Sequence, residues 1–349
     1  MSGGLTLDPS TLAGSQPTQI ERLARHHDIG AVPVSAVALG ETIALACGDG
    51  RLRLFAPEGA MTAHAVHRGA ILSMAAVPGE NAVLTGGDDG RVLRVAGDGV
   101  VTELAAHPRR WVDHVAAGKA GRIASSVGRI THLCDTDGKV HALDHPSTVG
   151  GLAFDAKGQR LAVAHYGGVT VWAKEKRGWK SAALKWAGSH TGVTFSPDGR
   201  FLLSSMQENA LHGWRLRDKA DLRMSGYPSK VKSWAWAGDV PWLATSGADQ
   251  AILWPFDGVK GPMGRSPLQL CWSVPALVTA VAAAPEREIV FAGFATGQVV
   301  FSEIDSIAEP RMVKRTAGAP IAALVCTSGG RLLAADENGQ TMWADLSAV

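Results

Sequence analysis

Four histidines recur along the chain at nearly regular intervals. They are His67, His107, His145 and His190, and 40, 38 and 45 positions separate successive members. Imidazole nitrogens are common metal ligands, but a zinc ion requires each of them at about 2.0 to 2.1 Å. Side chains one repeat apart occupy equivalent places on neighbouring units, which are separated by far more than that distance. The spacing therefore disfavours one ion bound by all four histidines. Binding of a metal or small ligand on this histidine-rich face, by a sensor or an enzyme, is kept as the alternative function.

A second group combines cationic and aromatic side chains at or near positions that precede apolar runs. Its members are Arg68, Arg109, Arg110, Trp111, Tyr166, Tyr227, Lys230 and Lys232. Guanidinium groups form paired bonds with carboxylates, and arginine, tryptophan and tyrosine are enriched among the residues that dominate protein interfaces. The group predicts a protein or peptide partner with acidic side chains. The competing interpretation is that these basic residues pair with aspartates of nearby turns or stand together by chance.

Enzyme motifs are missing from the sequence. It contains no Gly-x-Ser-x-Gly nucleophile elbow, no glycine-rich phosphate loop ending in Lys-Ser or Lys-Thr, and no His-Glu-x-x-His pair. Each of these motifs places a reactive group where a known chemistry needs it. We therefore expect a protein without catalytic residues and without a cofactor. Tryptophans that end apolar runs, such as Trp214, are expected to pack between structural units.

Charge and hydropathy exclude two classes of partner. The chain of 349 residues has 34 Lys and Arg against 32 Asp and Glu, a net charge of +2. Nucleic-acid binding usually rests on a strongly basic surface that neutralises phosphates. Uncharged apolar runs such as residues 276–285 are too short to span a bilayer, and the first residues lack a basic segment followed by an apolar one. We expect no nucleic-acid partner, no membrane partner and a cytoplasmic location.

The elements that must position these groups follow a repeat. Equivalent positions recur at intervals of 37 to 47 residues, at Ala38, Ala76, Ala117, Phe154, Phe195, Trp236, Ala283 and Cys326. Each unit has alternating apolar runs joined by turns such as Asp88–Gly90, and Asp-Gly turns favour antiparallel hairpins. Units of this kind bury their apolar faces only against their neighbours. The pattern predicts an all-β fold of eight four-stranded antiparallel sheets in one closed ring, with seven sheets as the alternative.

The two ends of the chain are expected to meet. The eighth unit stops soon after its third apolar run, residues 340–343, and a segment of strand length, residues 18–27, precedes the first unit. Pairing that segment with the last unit would remove an exposed strand edge. We therefore predict that residues 18–27 form a β-strand that completes the last sheet. Residues 1–17, rich in Gly, Ser, Thr and Pro, are predicted to be a flexible tail, and residues 18–349 a single domain.

Several of these segments resemble the WD40 β-propeller family. The resemblance rests on the turn at 196–200 and on strand ends at 169–172, 211–214 and 252–254, each of the last three ending in Trp. It implies a closed β-propeller in which the basic group surrounds one mouth of the central channel, and a scaffold that is a monomer within a hetero-complex. It also implies that each of the recurring histidines bonds to a strand hydroxyl or to a hairpin aspartate. The histidines are His67, His107, His145 and His190, and the aspartates are Asp49, Asp89 and Asp249.

Overall fold

The computed structural model describes residues 16–285 and 287–347. Most of the predicted N-terminal tail, residues 1–15, lies outside the described residues. Within them the chain forms thirty β-strands, one short α-helix and one 3-10 turn at Lys119–Gly121. The strands make seven antiparallel sheets arranged as a β-propeller, which confirms the all-β prediction.

Six of the sheets have four strands. Three follow directly along the chain: β2–β5 (Pro33–Leu39, Thr42–Cys47, Arg51–Phe55, Met61–Ala65), β6–β9 (Ile71–Ala76, Ala82–Gly87, Arg91–Ala96, Val101–Ala106) and β10–β13 (His114–Ala117, Ile123–Val127, Ile130–Cys134, Val140–Asp144). Two more are β20–β23 (Trp234–Ala237, Trp242–Thr245, Ala251–Pro255, Leu268–Leu270) and β24–β27 (Val278–Ala283, Ile289–Phe294, Val299–Glu303, Arg311–Lys314). The last combines β28–β30 (Ile321–Cys326, Arg331–Asp336, Gln340–Asp345) with β1 (Arg25–Asp28).

The remaining sheet has six strands. It contains β14 (Val149–Phe154), β15 (Arg160–Glu175), β16 (Gly178–Phe195), β17 (Phe201–Met206), β18 (Ala210–Arg215) and β19 (Ala220–Ser225). This sheet takes the place of two predicted four-stranded sheets. The prediction of eight separate sheets is therefore wrong, and seven, the alternative count, is observed.

Two long strands explain the difference. Residues 178–189 of β16 pair with β15, and residues 190–195 of the same strand pair with β17. One uninterrupted strand thus links what the repeat pattern assigned to two units. Strand β15 also folds back on itself near Gly168. The N–H of Lys174, near its end, donates to the carbonyl of Gln159, just before its start, at 2.9 Å. Tyr166 pairs with Ser189, so the hydrogen-bonded pairing of β15 with β16 continues past this bend.

The N-terminal segment completes the last sheet but is not one strand. Strand β1 pairs antiparallel with β30, which confirms that a strand is borrowed from the N-terminus. Residues Gln19–Leu23 instead form helix α1, so the prediction of β structure over 18–27 is wrong for these five residues. Thr18 and Glu21 form a capping box, in which Thr18 Oγ1 accepts the N–H of Glu21 at 3.0 Å, and this pairing starts a helix. No helix in the described part of the chain is long and apolar enough to cross a membrane.

Side-chain packing rather than backbone bonding holds the sheets together. In the described ranges no hydrogen-bonded strand pair joins one sheet to the next. The sheets therefore do not form one closed, continuously hydrogen-bonded ring. Hydrophobic clusters fill the spaces between neighbouring sheets. In one of them Ile43 and Phe55 of the first sheet pack with Leu333 and Trp343 of the last. Each sheet therefore depends on both neighbours to bury its faces.

Candidate interaction face

The antiparallel order of the strands places two sets of loops at the same end of the molecule. One set leads into the innermost strand of each sheet, and the other joins the second strand to the third. Their contacts are direct: the N–H of His107 donates to the carbonyl of Gly90 at 2.7 Å, and the N–H of Ser229 to that of Gly247 at 3.1 Å. We call this end the upper face and the opposite end the lower face.

The loop between β9 and β10 is anchored to the neighbouring hairpin at both ends. Besides the bond from His107 to Gly90, the N–H of Val112 donates to the carbonyl of Gly87 at 3.0 Å. Gly90 has a φ of +80°, and a Cβ added there would lie 2.2 Å from the carbonyl oxygen of His107. Only glycine allows so close an approach of the two backbones.

Three consecutive side chains project from this anchored loop. Arg109, Arg110 and Trp111 are all exposed, and 64% of the Trp111 surface is accessible. Arg109 has a φ of +61°, a conformation that residues with a Cβ seldom adopt. The turn thus presents two guanidinium groups and an indole ring next to one another on the upper face, as the sequence predicted.

Arg68 lies on the adjacent loop, which a buried histidine and an aspartate hold in place. The N–H of Arg68 donates to Asp89 Oδ2 at 3.1 Å, while His67 Nδ1 bonds to Asp89 Oδ1 at 2.8 Å. Burial alone would raise the pKa of Asp89, but hydrogen bonds from His67 and from two backbone N–H groups outweigh it and lower that pKa. The Arg68 side chain itself is exposed.

The other predicted contact residues are not equivalent to one another. Tyr166 and Lys232 are exposed on the upper face, and Lys230 is half-buried. Tyr227 is buried, and its hydroxyl bonds to Thr245 Oγ1 at 2.7 Å. The prediction that Tyr227 contacts a partner is therefore wrong, because its ring fills the core between two sheets and its polar group is already satisfied.

Trp272 belongs to the same surface and was missed in the sequence. It lies in the loop between β23 and β24 and 53% of its surface is accessible. Its position before an innermost strand matches that of Trp111. That match was a signal available in the sequence.

The histidines of the repeat hold strands and loops together in three of four cases. His67 Nε2 bonds to Thr85 Oγ1 at 2.9 Å, and His190 Nδ1 to Ser204 Oγ at 2.6 Å. His145 accepts the indole N–H of Trp172 at 3.1 Å and bonds to the carbonyl of Arg129 at 3.1 Å, so it holds this loop without the predicted strand hydroxyl or hairpin aspartate. Burial lowers the pKa of His145 and of His190, which keeps their rings neutral near pH 7.

The remaining members of that set depart from the expected pairing. His107 Nε2 is buried without a hydrogen-bond partner, and its ring lies 4.5 Å from that of His132. Asp49 pairs with Arg53 at 2.8 Å rather than with a histidine. Asp249 is exposed at the tip of its hairpin. The family-like arrangement of histidine and aspartate is thus found once, at His67.

Metal ligation requires several donor side chains around one point. Across residues 16–285 and 287–347, no group of three or more His, Cys, Asp or Glu side chains is close enough to hold a metal ion. The recurring histidines instead lie apart, His67, His107 and His145 in the loops after β5, β9 and β13, and His190 within β16.

The fold has counterparts among solved structures. The computationally designed Ika8 protein is similar, with a TM-score of 0.70 and 17% identity, over 91% of this chain and 98% of that one. The structure of U3-55K is similar with a TM-score of 0.55 and 14% identity, over 80% of this chain and 96% of that one. At these identities the likeness concerns the fold alone. No protein-family model matches the sequence. No curated protein matches it either.

Proposed function

We propose that this chain is a non-catalytic interaction scaffold that binds an acidic protein or peptide on its upper face. One observation carries the proposal. Within the described ranges, the exposed tryptophan and tyrosine side chains are Trp111, Tyr166 and Trp272, and all three lie on the upper face, Trp111 and Trp272 in loops and Tyr166 at the bend of β15. Exposed aromatic rings are typical anchors of protein interfaces. Arg109 and Arg110, beside Trp111, would pair with carboxylates of the partner.

The scaffold would be a degenerate member of the WD40 class with eight repeats. In this proposal the six-stranded sheet counts as two repeats that share strand β16. The fold-back of β15 near Gly168 supports this division. A hydrophobic cluster containing Ala162 and Val171 on one side, and Val193 and Trp214 on the other, resembles those between separate sheets. The bonds of His67 to Thr85 and of His190 to Ser204 support the class.

The proposed setting follows from charge. A net charge of +2 supplies little attraction for nucleic acids or membranes. A local cationic surface would instead speed the encounter with an acidic partner, while the aromatic anchors, once covered by that partner, would set the lifetime of the complex. We place the protein in the cytoplasm as a monomer within a hetero-complex.

A charge reversal on each face tests the proposal. The partner would first be identified by affinity purification and mass spectrometry, and its binding measured by calorimetry. R109E/R110E should weaken binding at least tenfold, or by about 1.4 kcal/mol, without lowering the melting temperature. K176E/R177E is the matched control, since these two exposed basic residues lie in a hairpin of the lower face. Equal affinities of both variants would place the interaction elsewhere.

Metal analysis of the purified protein tests the alternative function on the histidine-rich face. Stoichiometric zinc or iron that disappears in H107A/H145A would favour a metal-dependent sensor or enzyme. Because His145 also holds Trp172, the melting temperature of the variant has to be measured alongside. Loss of metal without loss of fold is the result that would support the alternative.

A further inference from the structure

A cavity of about 350 Å³ opens on the upper face beside the six-stranded sheet. Its walls come from the bend of β15 at Tyr166, the middle of β16 at Trp186, the hairpin after β17 at Glu208, and from His212 and Arg223 on β18 and β19. The volume lies within the range of small-molecule sites in proteins, about 300 to 1,000 Å³. Its position is separate from the loop that carries Arg109 and Arg110.

A buried histidine in the cavity wall has no partner for either of its nitrogens. His212 is fully buried, and neither Nδ1 nor Nε2 forms a hydrogen bond. Its ring stacks on that of Trp186 with 3.8 Å between centroids and 14° between planes. Burial lowers the pKa of His212 to about 4, so the ring is neutral near pH 7 and offers one donor and one acceptor. The stacked rings of His212 and Trp186 thus form a neutral, aromatic part of the cavity wall.

Two opposite charges face the same cavity without neutralising each other. Glu208 and Arg223 are both exposed and both line it. Among the described residues no ion pair involves either side chain. The cavity therefore has an acidic end at Glu208, near Gly188, and a basic end at Arg223.

The rest of the lining is apolar or aromatic. Met206, Leu211 and Ala210 supply aliphatic surface, and the rings of Tyr166 and Trp186 supply flat faces. Aromatic faces attract a cation through their negative π-surface, most strongly when a carboxylate lies beside them. An apolar group and two opposite charges are thus accommodated in one site.

We propose that this cavity binds a small zwitterion of the amino-acid class with an apolar side chain. Its ammonium group lies at Glu208 and the aromatic rings, and its carboxylate lies at Arg223. The side chain rests on Met206 and Leu211, beside the wall formed by Trp186 and His212.

L-phenylalanine and L-methionine are the probes for the test. Calorimetry and NMR of the full chain labelled with ¹⁵N-histidine report on binding, with the His212 resonance assigned by its loss in H212Q. We expect saturable binding of at least one probe together with a shift of that resonance. Two analogues each lack one charge: 3-phenylpropanoate has no ammonium group and 2-phenylethylamine has no carboxylate. Each should bind at least tenfold more weakly than L-phenylalanine. If only L-methionine binds, neither analogue should bind.

Variants at the two charged ends separate their roles. E208Q should weaken binding of the zwitterion at least tenfold and leave the weak binding of 3-phenylpropanoate unchanged. R223Q should also weaken binding of the zwitterion at least tenfold, but leave the weak binding of 2-phenylethylamine unchanged. E175Q, in a hairpin of the lower face, is the matched control and should bind as the unaltered chain does. Because all three positions are exposed, each variant should keep its melting temperature. R109E/R110E should also bind the probe normally, because neither arginine lines the cavity, whereas Tyr166 belongs to both surfaces.

Two results would overturn the proposal. The first is the absence of a His212 shift and of measurable heat with either probe at millimolar concentration. The second is an equal probe affinity of E208Q, R223Q and the control E175Q, because the charges of the cavity would then make no contribution to binding.

Discussion

The indole N–H of Trp254 donates to the hydroxyl of Tyr227 at 2.6 Å, and that hydroxyl also bonds to Thr245 at 2.7 Å. At another repeat a histidine accepts the indole N–H instead, in the bond from Trp172 to His145. Tyr227 therefore takes the place of a repeat histidine. Its phenol reaches across the interior and connects one sheet to the loop that precedes it.

Replacing Tyr227 with phenylalanine should destabilise the protein. The ring would still fill the core, but Trp254 would lose its acceptor in a buried place. An unsatisfied buried polar group costs about 1 to 3 kcal/mol, so the free energy of unfolding in urea should fall by that amount. Tyr166→Phe is the matched control, because Tyr166 is exposed and its change should stay within about 0.5 kcal/mol. Equal effects of the two changes would contradict a structural role for the Tyr227 hydroxyl.

A buried carboxylate joins two neighbouring sheets. Asp135 accepts bonds from Arg122 Nε at 2.8 Å, Lys174 Nζ at 2.5 Å and the indole N–H of Trp179 at 3.0 Å. Asp135→Asn should cost about 3 to 5 kcal/mol in urea unfolding, because it leaves the buried Arg122 without its counter-charge. Asp144→Asn is the control, since its pair with Arg129 is exposed and is worth about 0 to 1 kcal/mol.

The same carboxylate makes stability depend on pH. Burial alone would raise the pKa of Asp135, but the bonds from Lys174, Arg122 and Trp179 outweigh it and lower that pKa well below 3.8. The ionised form is thus favoured by folding. Its contribution is present above the unfolded pKa and is lost as the pH falls through the folded one. Unfolding curves measured between pH 6 and pH 2 should show a loss of stability on acidification that is smaller in Asp135→Asn.

Glu21 attaches helix α1 to the preceding sheet. Its carboxylate accepts the N–H of Arg315 at 2.9 Å and the hydroxyl of Thr316, and the side chain is 4% exposed. Burial would raise the pKa of Glu21, but these bonds and the charge of Lys314 outweigh it and lower the pKa below 4.5. Glu21→Gln should lower the free energy of unfolding at pH 7 by about 1 to 3 kcal/mol.

The acid limb gives a second readout for Glu21. Its stabilising effect is present above pH 4.5 and disappears as the pH falls through the lower folded pKa, so the variant and the unaltered chain should converge in stability at low pH. Glu58→Gln, at an exposed position, should change neither the stability nor its pH dependence. A constant difference across the pH range would show that the glutamine disturbs packing instead.

The bend in β15 requires a glycine at position 168. Gly168 has a φ of +140°, and a Cβ there would lie 2.1 Å from the carbonyl oxygen of Leu184. Gly178 has a similar φ of +131° but open space around it. Gly178→Ala should therefore cost only the backbone strain, about 1 to 3 kcal/mol. Gly168→Ala should cost about 1 to 3 kcal/mol more, because the backbone itself must move, and melting temperatures of the two variants measure the difference.

The repeat of the sequence by itself determined the all-β fold, the antiparallel hairpins and the placement of Arg109, Arg110 and Trp111 on one face. These features depend on alternation of apolar residues and on local turns such as Asp88–Gly90, which act over a few residues. A strand borrowed by the last sheet was also predictable, because an incomplete unit leaves an open edge.

Only the tertiary structure decided how neighbouring units join and which polar groups become buried. The local capping box of Thr18 and Glu21 starts helix α1, but its place against the sheet depends on the bonds of Glu21 to the backbone of Arg315 and Thr316, almost 300 residues away. The number of sheets depends on whether a ladder continues through the bend at Tyr166, which local patterns do not reveal. The burial of Tyr227 and the stack of His212 on Trp186 depend on distances between strands that are remote along the chain. Such packing is set by the whole fold, since each side chain there is surrounded by several elements.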